Sequence, residues 1–156
     1  MRHISLLLII IVSYFGTACD NETVDNAADF EFETNDKGAN ALNLTVTIRY
    51  RLKNRLEKKL EIKYGRHYKD SLLLPAISTI SKKVLGDYSA GEIYNYKRDT
   101  IEQKIGGQTR TTFAEYDIEV TDFFIRSVKL PDTLMKMLEE EHLERFNKKD
   151  TADNKH

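Results

Sequence analysis

"LNLTVTIRYRL", residues 42–52, alternates without a break. Leu42, Leu44, Val46, Ile48, Tyr50 and Leu52 fall on one side, and Asn43, Thr45, Thr47, Arg49 and Arg51 on the other. A side-chain period of two marks a strand with one face in a core and one in water. Burying one large apolar side chain contributes roughly 1.5–3 kcal/mol, so this inner face is a major part of the core. Just upstream, "FEFET" from Phe30 alternates as well, and "NDKGAN" between the two runs supplies turn chemistry. A hairpin over Phe30–Leu52 follows.

Downstream the period changes from two to three and four. In "NRLEKKLEIKYG", Asn54 is a candidate cap, Leu56 and Leu60 share a helix face, and Gly65 is the stop. Leu73, Ile77, Ile80 and Val84 continue the helical spacing around Pro75, which either kinks that helix or opens a fresh first turn. "SAGE", residues 89–92, has the form of a capping box, with Ser89 and Glu92 three apart. A helix is expected from there through Ile93, Tyr94, Ile101 and Ile105. Gly106-Gly107 interrupts it. Two glycines cost about 2 kcal/mol relative to alanine in a helix interior, which predicts a frayed or bent segment. "DIEVTDFFIRSVKL", 117–130, returns to strand, but its apolar residues slip by one position twice, the signature of β-bulges. Pro131-Asp132 opens a last helix on Leu134, Leu138 and His142, with Met137 alongside, ending near Lys149. Residues 150–156 read as a disordered polar tail.

These elements give an α+β class: a small antiparallel sheet covered on one side by helices, with a short C-terminal helix that projects or packs at the edge. The chain has 156 residues, enough for one domain with extras. Its formal net charge of −1 argues against a nucleic-acid partner, which needs a basic face. One cysteine rules out a disulfide framework and a cysteine-based metal site.

That cysteine, Cys19, lies where an oily run meets acids. Arg2 and His3 precede the apolar Ile4–Val12 run, and small residues lead to Ala18-Cys19, the plan of a secretory signal peptide over residues 1–18. A helix from Ile4 to Ala18 would reach about 22 Å, against a hydrocarbon core of roughly 30 Å, so cleavage fits better than a membrane span. "GTAC" has the small residues before cysteine of a bacterial lipobox, with Gly16 where leucine is usual. On that reading the cut falls between Ala18 and Cys19, and Cys19 carries lipid (a diacylglycerol group, with palmitate-like chains). The other reading is an ordinary signal with an incidental cysteine. From Cys19 to Asp29 the chain is acidic and reads as a solvated spacer, or as a sorting signal between membranes.

Three stretches taken together resemble a known family. "LTVTIRYRL" is similar to the strand opening the second half of the SPFH domain, also called the prohibitin-type or band-7 domain. "LLPAISTISKKVLGDYSAGEIYNYKRDTIEQKI" resembles its helical block, through Pro75, Tyr88-Ser89, Glu92, Arg98-Asp99, Ile101 and Ile105. "DIEVTDFFIRSVKLPDTLMKML" resembles the closing strand and its apolar-Pro exit at Leu130-Pro131. The resemblance covers 30–149. The family's N-terminal β subdomain and its long coiled coil have no counterpart in this reading. The last helix, roughly 27 Å long, is shorter than a stable coiled coil wants.

The residues offer little catalytic chemistry. His67 and His142 stand in no metal-ligand spacing, and no P-loop, nucleophile elbow or dinucleotide-binding pattern occurs. The expectation is a protein that is not an enzyme and takes no cofactor or metal. Glu139-Glu140-Glu141 reads as a solvated face, and Arg98-Asp99 as an ion pair or cap within the helical block. The tyrosines read mainly as core or core edge, with Tyr94 and Tyr96 the candidate partner surface. With the Cys19 anchor, the resemblance implies a lipid-anchored, prohibitin-like protein on the outer side of a bacterial membrane. It would act as a scaffold or adaptor in membrane-protein quality control, with copies of itself, a longer SPFH homologue or a membrane protease as partners. The second reading is a small envelope lipoprotein that binds one partner or ligand as a monomer or dimer.

Overall fold

A computed structural model describes residues 23–153. The signal segment, Ala18 and Cys19 lie outside the described residues. Two strands, β1 (Thr23–Asn35) and β2 (Ala41–Lys53), form a long antiparallel hairpin. Helix α1 (Asn54–Tyr64) follows at once. Then come α2 (Leu74–Leu85), α3 (Arg98–Ala114), β3 (Glu119–Lys129) and α4 (Asp132–Asp153). The sheet order is β1-β2-β3, antiparallel throughout, so β2 is central. The class is α+β.

The alternation in β2 sets which face is covered. Leu42, Leu44, Val46, Ile48, Tyr50 and Leu52 are each at most 2% exposed. Above them lie Leu73, Ile77, Leu85, Ile93, Ile101, Ile105 and Phe113 from the helical block, in one contiguous core. The opposite face of the sheet carries cross-strand polar pairs. Arg51 bonds Asp25 at 2.9 Å and lies 3.6 Å from Glu119, Thr47 donates to Asp29, and Lys129 reaches Glu31 at 3.3 Å. These pairs explain why ordered strand begins at Thr23 rather than Phe30. The acids of residues 25–29, read from sequence as spacer, stand opposite β2 in register, Asp25 across from Arg51 and Asp29 across from Thr47.

Helix ends differ in part from their sequence reading. Gly65 stops α1 with φ of 86°, a backbone that favours glycine. Asn54 is the first residue of α1 rather than its cap; Lys53 holds the cap position, without a side-chain hydrogen bond. Pro75 opens the first turn of α2, which a short π-helical turn, Lys69–Leu73, leads into. Helix α4 continues to Asp153, beyond the end expected near Lys149 and into the segment read as a disordered tail.

Helix α3 runs through Gly106-Gly107 without interruption. Packing overrides the propensity cost here. A Cβ on Gly106 would stand 3.1 Å from Phe123 Cβ, so the bare backbone lets α3 lie close against β3, whereas Gly107 has open space around it. Gly107→Ala is therefore expected to stabilise the fold by about 1 kcal/mol through helix propensity. Gly106→Leu is expected to destabilise it by about 3 kcal/mol by overpacking. Urea unfolding of both variants checks the contrast, and equal effects would show that the close approach is unimportant.

The slips in β3 are two bulges. Its pairing with β2 shifts between Thr45 and Val46, and again between Arg49 and Tyr50, leaving Arg126 and Thr121 as the extra residues. They turn Val120, Phe123 and Ile125 all toward the core, although strict alternation would send one set outward. Each bulge is met by an arginine from α3. Arg98 Nη2 donates to the carbonyls of Ile125 and Arg126, the latter at 3.0 Å. Arg110 donates to the carbonyls of Val120 at 3.3 Å and Thr121 at 3.2 Å. Between them, the Ile125 amide donates to Glu102 Oε2 at 3.1 Å. Arg98 thus binds strand backbone, correcting the reading of Arg98-Asp99 as an ion pair or cap within the helical block.

Candidate functional site

Two turns and the start of a helix converge where the hairpin meets the helical block. Between α2 and α3, the Ser89 amide donates to Glu92 Oε2 at 3.0 Å and the Glu92 amide to Ser89 Oγ at 3.4 Å, the capping box read from the sequence. The chain then takes one wide π-helical turn, Glu92–Tyr96, closed by the Lys97 amide on the Glu92 carbonyl at 2.8 Å. Such turns push side chains outward and recur at functional sites. Here they present Tyr94 and Tyr96, 42% and 57% exposed.

Glu92 is the electrostatic centre of this turn. Its hydrogen-bonded pair with Lys97, at 2.6 Å, and the Ser89 amide pull its carboxyl down to about 2. A lowered carboxyl supports the fold above its ordinary value of 4.5 and loses that support as pH falls toward 2. The expected result is an NMR titration midpoint near pH 2 for Glu92 that returns toward 4.5 in Lys97→Met. A midpoint unmoved by that substitution would remove Lys97 as the cause.

The second turn joins β1 to β2. Asp36 is buried, only 6% exposed, yet its carboxylate is satisfied on both oxygens. It accepts from the Asn40 amide at 2.7 Å, from Asn40 Nδ2 at 3.1 and 3.0 Å, and from the Ala90 amide at 2.8 Å. Burial raises its pKa, but the bonds from Asn40, Ala90 and Gly38 together outweigh burial and leave it lowered. The Lys37 amide adds a bond to the Tyr88 carbonyl at 2.8 Å. Asp36 thereby fastens the hairpin tip to the capping box. Sequence reasoning saw only a turn in "NDKGAN"; the sole local signal was an Asx residue with Asn four positions on.

The third element is the start of α4. Leu134 and Leu138 pack against the core edge, and a Cβ on Gly91 would meet Leu138 Cδ2 at 3.2 Å. Between these parts lies a groove of about 260 Å³, walled by Asp36, Ser89, Glu92, Tyr96, Leu138 and His142. Tyr96 belongs to that wall, and Tyr94 does not. Beyond Leu138, Glu139, Glu140, Glu141 and His142 are exposed, and Leu143 is 61% exposed. His67 is exposed, in the connection between α1 and α2. Among the described residues no group of three or more His, Cys, Asp or Glu is placed to hold a metal ion. No described helix is long and apolar enough to cross a membrane. The tyrosine-bearing turn, the groove and the exposed side of α4 make a surface suited to binding.

The SPFH domain / Band 7 family model matches residues 19–155, most of the chain. The chain belongs to this family. Proteins with SPFH domains are membrane-associated scaffolds that typically oligomerise. Strand β2, the helical block from Pro75 to Ile105, and β3 with its Leu130-Pro131 exit into α4 are the parts of this SPFH domain whose sequence resembles the family. Comparison with curated proteins finds no match.

Proposed function

We propose that this SPFH protein is tethered by lipid on Cys19 to the outer side of a bacterial membrane, where it serves as a scaffold or adaptor in membrane-protein quality control. Family membership over 19–155 carries the reading. Cys19 supplies the attachment, after cleavage behind Ala18. One acyl chain holds a protein on a bilayer only marginally, and two or more hold it stably. Confinement to a surface raises the effective concentration of weak contacts, which is how a scaffold domain assists a membrane protease. The exposed Tyr94 and Tyr96, beside the groove and α4, are the partner surface.

The test joins crosslinking in living cells with sizing of detergent-extracted protein. Particles of many subunits and a co-purifying membrane protease are the expected result. Tyr94→Ala with Tyr96→Ala should cut recovery of the partner at least tenfold while leaving stability within about 0.5 kcal/mol, since both side chains are exposed. A monomer at micromolar concentration with one bound partner would favour the second reading, a small envelope lipoprotein that does not scaffold.

A further inference from the structure

The chain's charge is unevenly spread. Residues 53–69 hold seven of its lysines and arginines against two acids, leaving seventeen basic and twenty-three acidic residues for the rest. Most of this segment is helix α1. Its inward side is Leu60, buried, with Leu56 and Tyr64 half-buried on the core edge. Its outward side carries Lys58 and Lys59, and at its apex Ile62, which is 86% exposed. No other large apolar side chain among the described residues is as exposed as Ile62. Lys63 lies alongside, over the Tyr64 ring at 5.1 Å, and Arg66 follows in the next loop, exposed.

The position of α1 matters as much as its composition. β1 begins at Thr23, which pairs with Lys53, the residue before α1. The chain therefore enters the fold at the same end of the sheet as the basic helix. Cys19 stands four residues before Thr23, a reach of about 14 Å when extended. An apolar tip flanked by lysines, here with Glu61 as the one exposed acid beside it, is what an anionic bilayer surface binds: the tip enters the headgroup boundary, and each lysine near the surface strengthens binding about fivefold.

We propose that the outward face of α1, with Ile62 at its tip and Lys58 and Lys59 beside it, docks on anionic phospholipid and fixes how the domain sits on its membrane. The inference deepens the proposed function and takes its bilayer from the Cys19 anchor, but the docking face is α1's own. A lipid chain alone leaves a domain free to swing; a second contact of this kind gives it a fixed orientation. With α1 turned to the bilayer, the charge excess of the remaining surface, which is acidic, is left for the aqueous side.

The two readings are tested separately. Mass spectrometry of the full chain extracted from its membranes reads the anchor, as a lipid mass or a bare thiol on Cys19. The helix is read by a polarity-sensitive dye on Ile62→Cys, with the chain placed in nanodiscs; if Cys19 proves bare, Cys19→Ser is added and the same dye is read with vesicles. A blue shift is expected with phosphatidylglycerol bilayers and not with pure phosphatidylcholine. It should be reversed by high salt, with no shift from a dye on Met137→Cys in α4. Lys58→Gln with Lys59→Gln should lower the docked-to-free ratio roughly thirtyfold. A dye at position 62 that stays water-exposed on phosphatidylglycerol overturns the proposal. So does an equal shift on both lipids, or a shift produced by an acidic protein or nucleic acid but not by the bilayer.

Discussion

Phe113→Ala is expected to lower the unfolding free energy by about 4 kcal/mol, a large part of the 5–15 kcal/mol that holds a domain of this size. Phe113 is fully buried near the end of α3. Its ring is among the largest side chains wholly removed from water, and alanine there removes most of that volume from a close-packed interior. The cost should exceed simple transfer, because the backbone around it has little freedom to collapse. The Phe113 carbonyl already accepts from the amides of both Tyr116 and Ile118, each at 3.0 Å, and Asp117 between them is held at φ of 59°. Chemical denaturation with an unchanged m-value is the measurement. A loss under about 1.5 kcal/mol would mean that the α3–β3 junction refills the space.

Asp36→Ala is expected to cost about 3 kcal/mol, the scale for a buried acceptor whose charged bonds are lost and whose donors are left facing nothing. The orphaned donors are the amides of Ala90 and Asn40. The damage should be directional: hydrogen exchange should quicken at Ala90 and Lys37, on either side of the fastening, before it does in central β2. The same carboxylate gives an acid signature. Its pKa lies below the ordinary 3.8, so its stabilising effect is complete above that value and fades as pH falls below it. The Asp36→Ala variant should lack that portion of the acid unfolding, and an unaltered acid limb would refute the role given to Asp36.

What the sequence made legible was whatever depends on neighbours a few residues apart. The alternation of Leu42 to Leu52 named the central strand and its buried face. The capping box at Ser89 and Glu92 and the stop at Gly65 are local chemistry and are found where they were expected, and of the two readings of Pro75, a kink or a fresh first turn, the structure has the second. What stayed hidden needs partners distant in sequence. The acids of residues 25–29 looked like spacer because their partner Arg51 and the opposing Thr47 lie across a hairpin. Gly106 looked like a helix breaker because the Phe123 side chain that crowds it arrives seventeen residues later. Arg98 looked like part of an ion pair or cap within the helical block, since nothing nearby announces two strand carbonyls. At the site, Tyr94 and Tyr96 could be named from the sequence, but the groove beside them could not, because the hairpin tip and α4 both contribute to it.

The two arginines of α3 are spaced like the prongs of a gauge. Twelve residues of helix separate Arg98 from Arg110, a rise of about 18 Å, and the five residues from Thr121 to Arg126 extend about 17 Å. The two lengths agree only because helix and strand hold their present residue counts. Deleting one residue between the arginines would rotate one prong by about 100° and leave its carbonyls bare. A matching deletion in the strand would restore neither that rotation nor the length, since helix and strand rise by about 1.5 and 3.3 Å per residue, which makes this stretch far less open to insertion and deletion than the loops on either side.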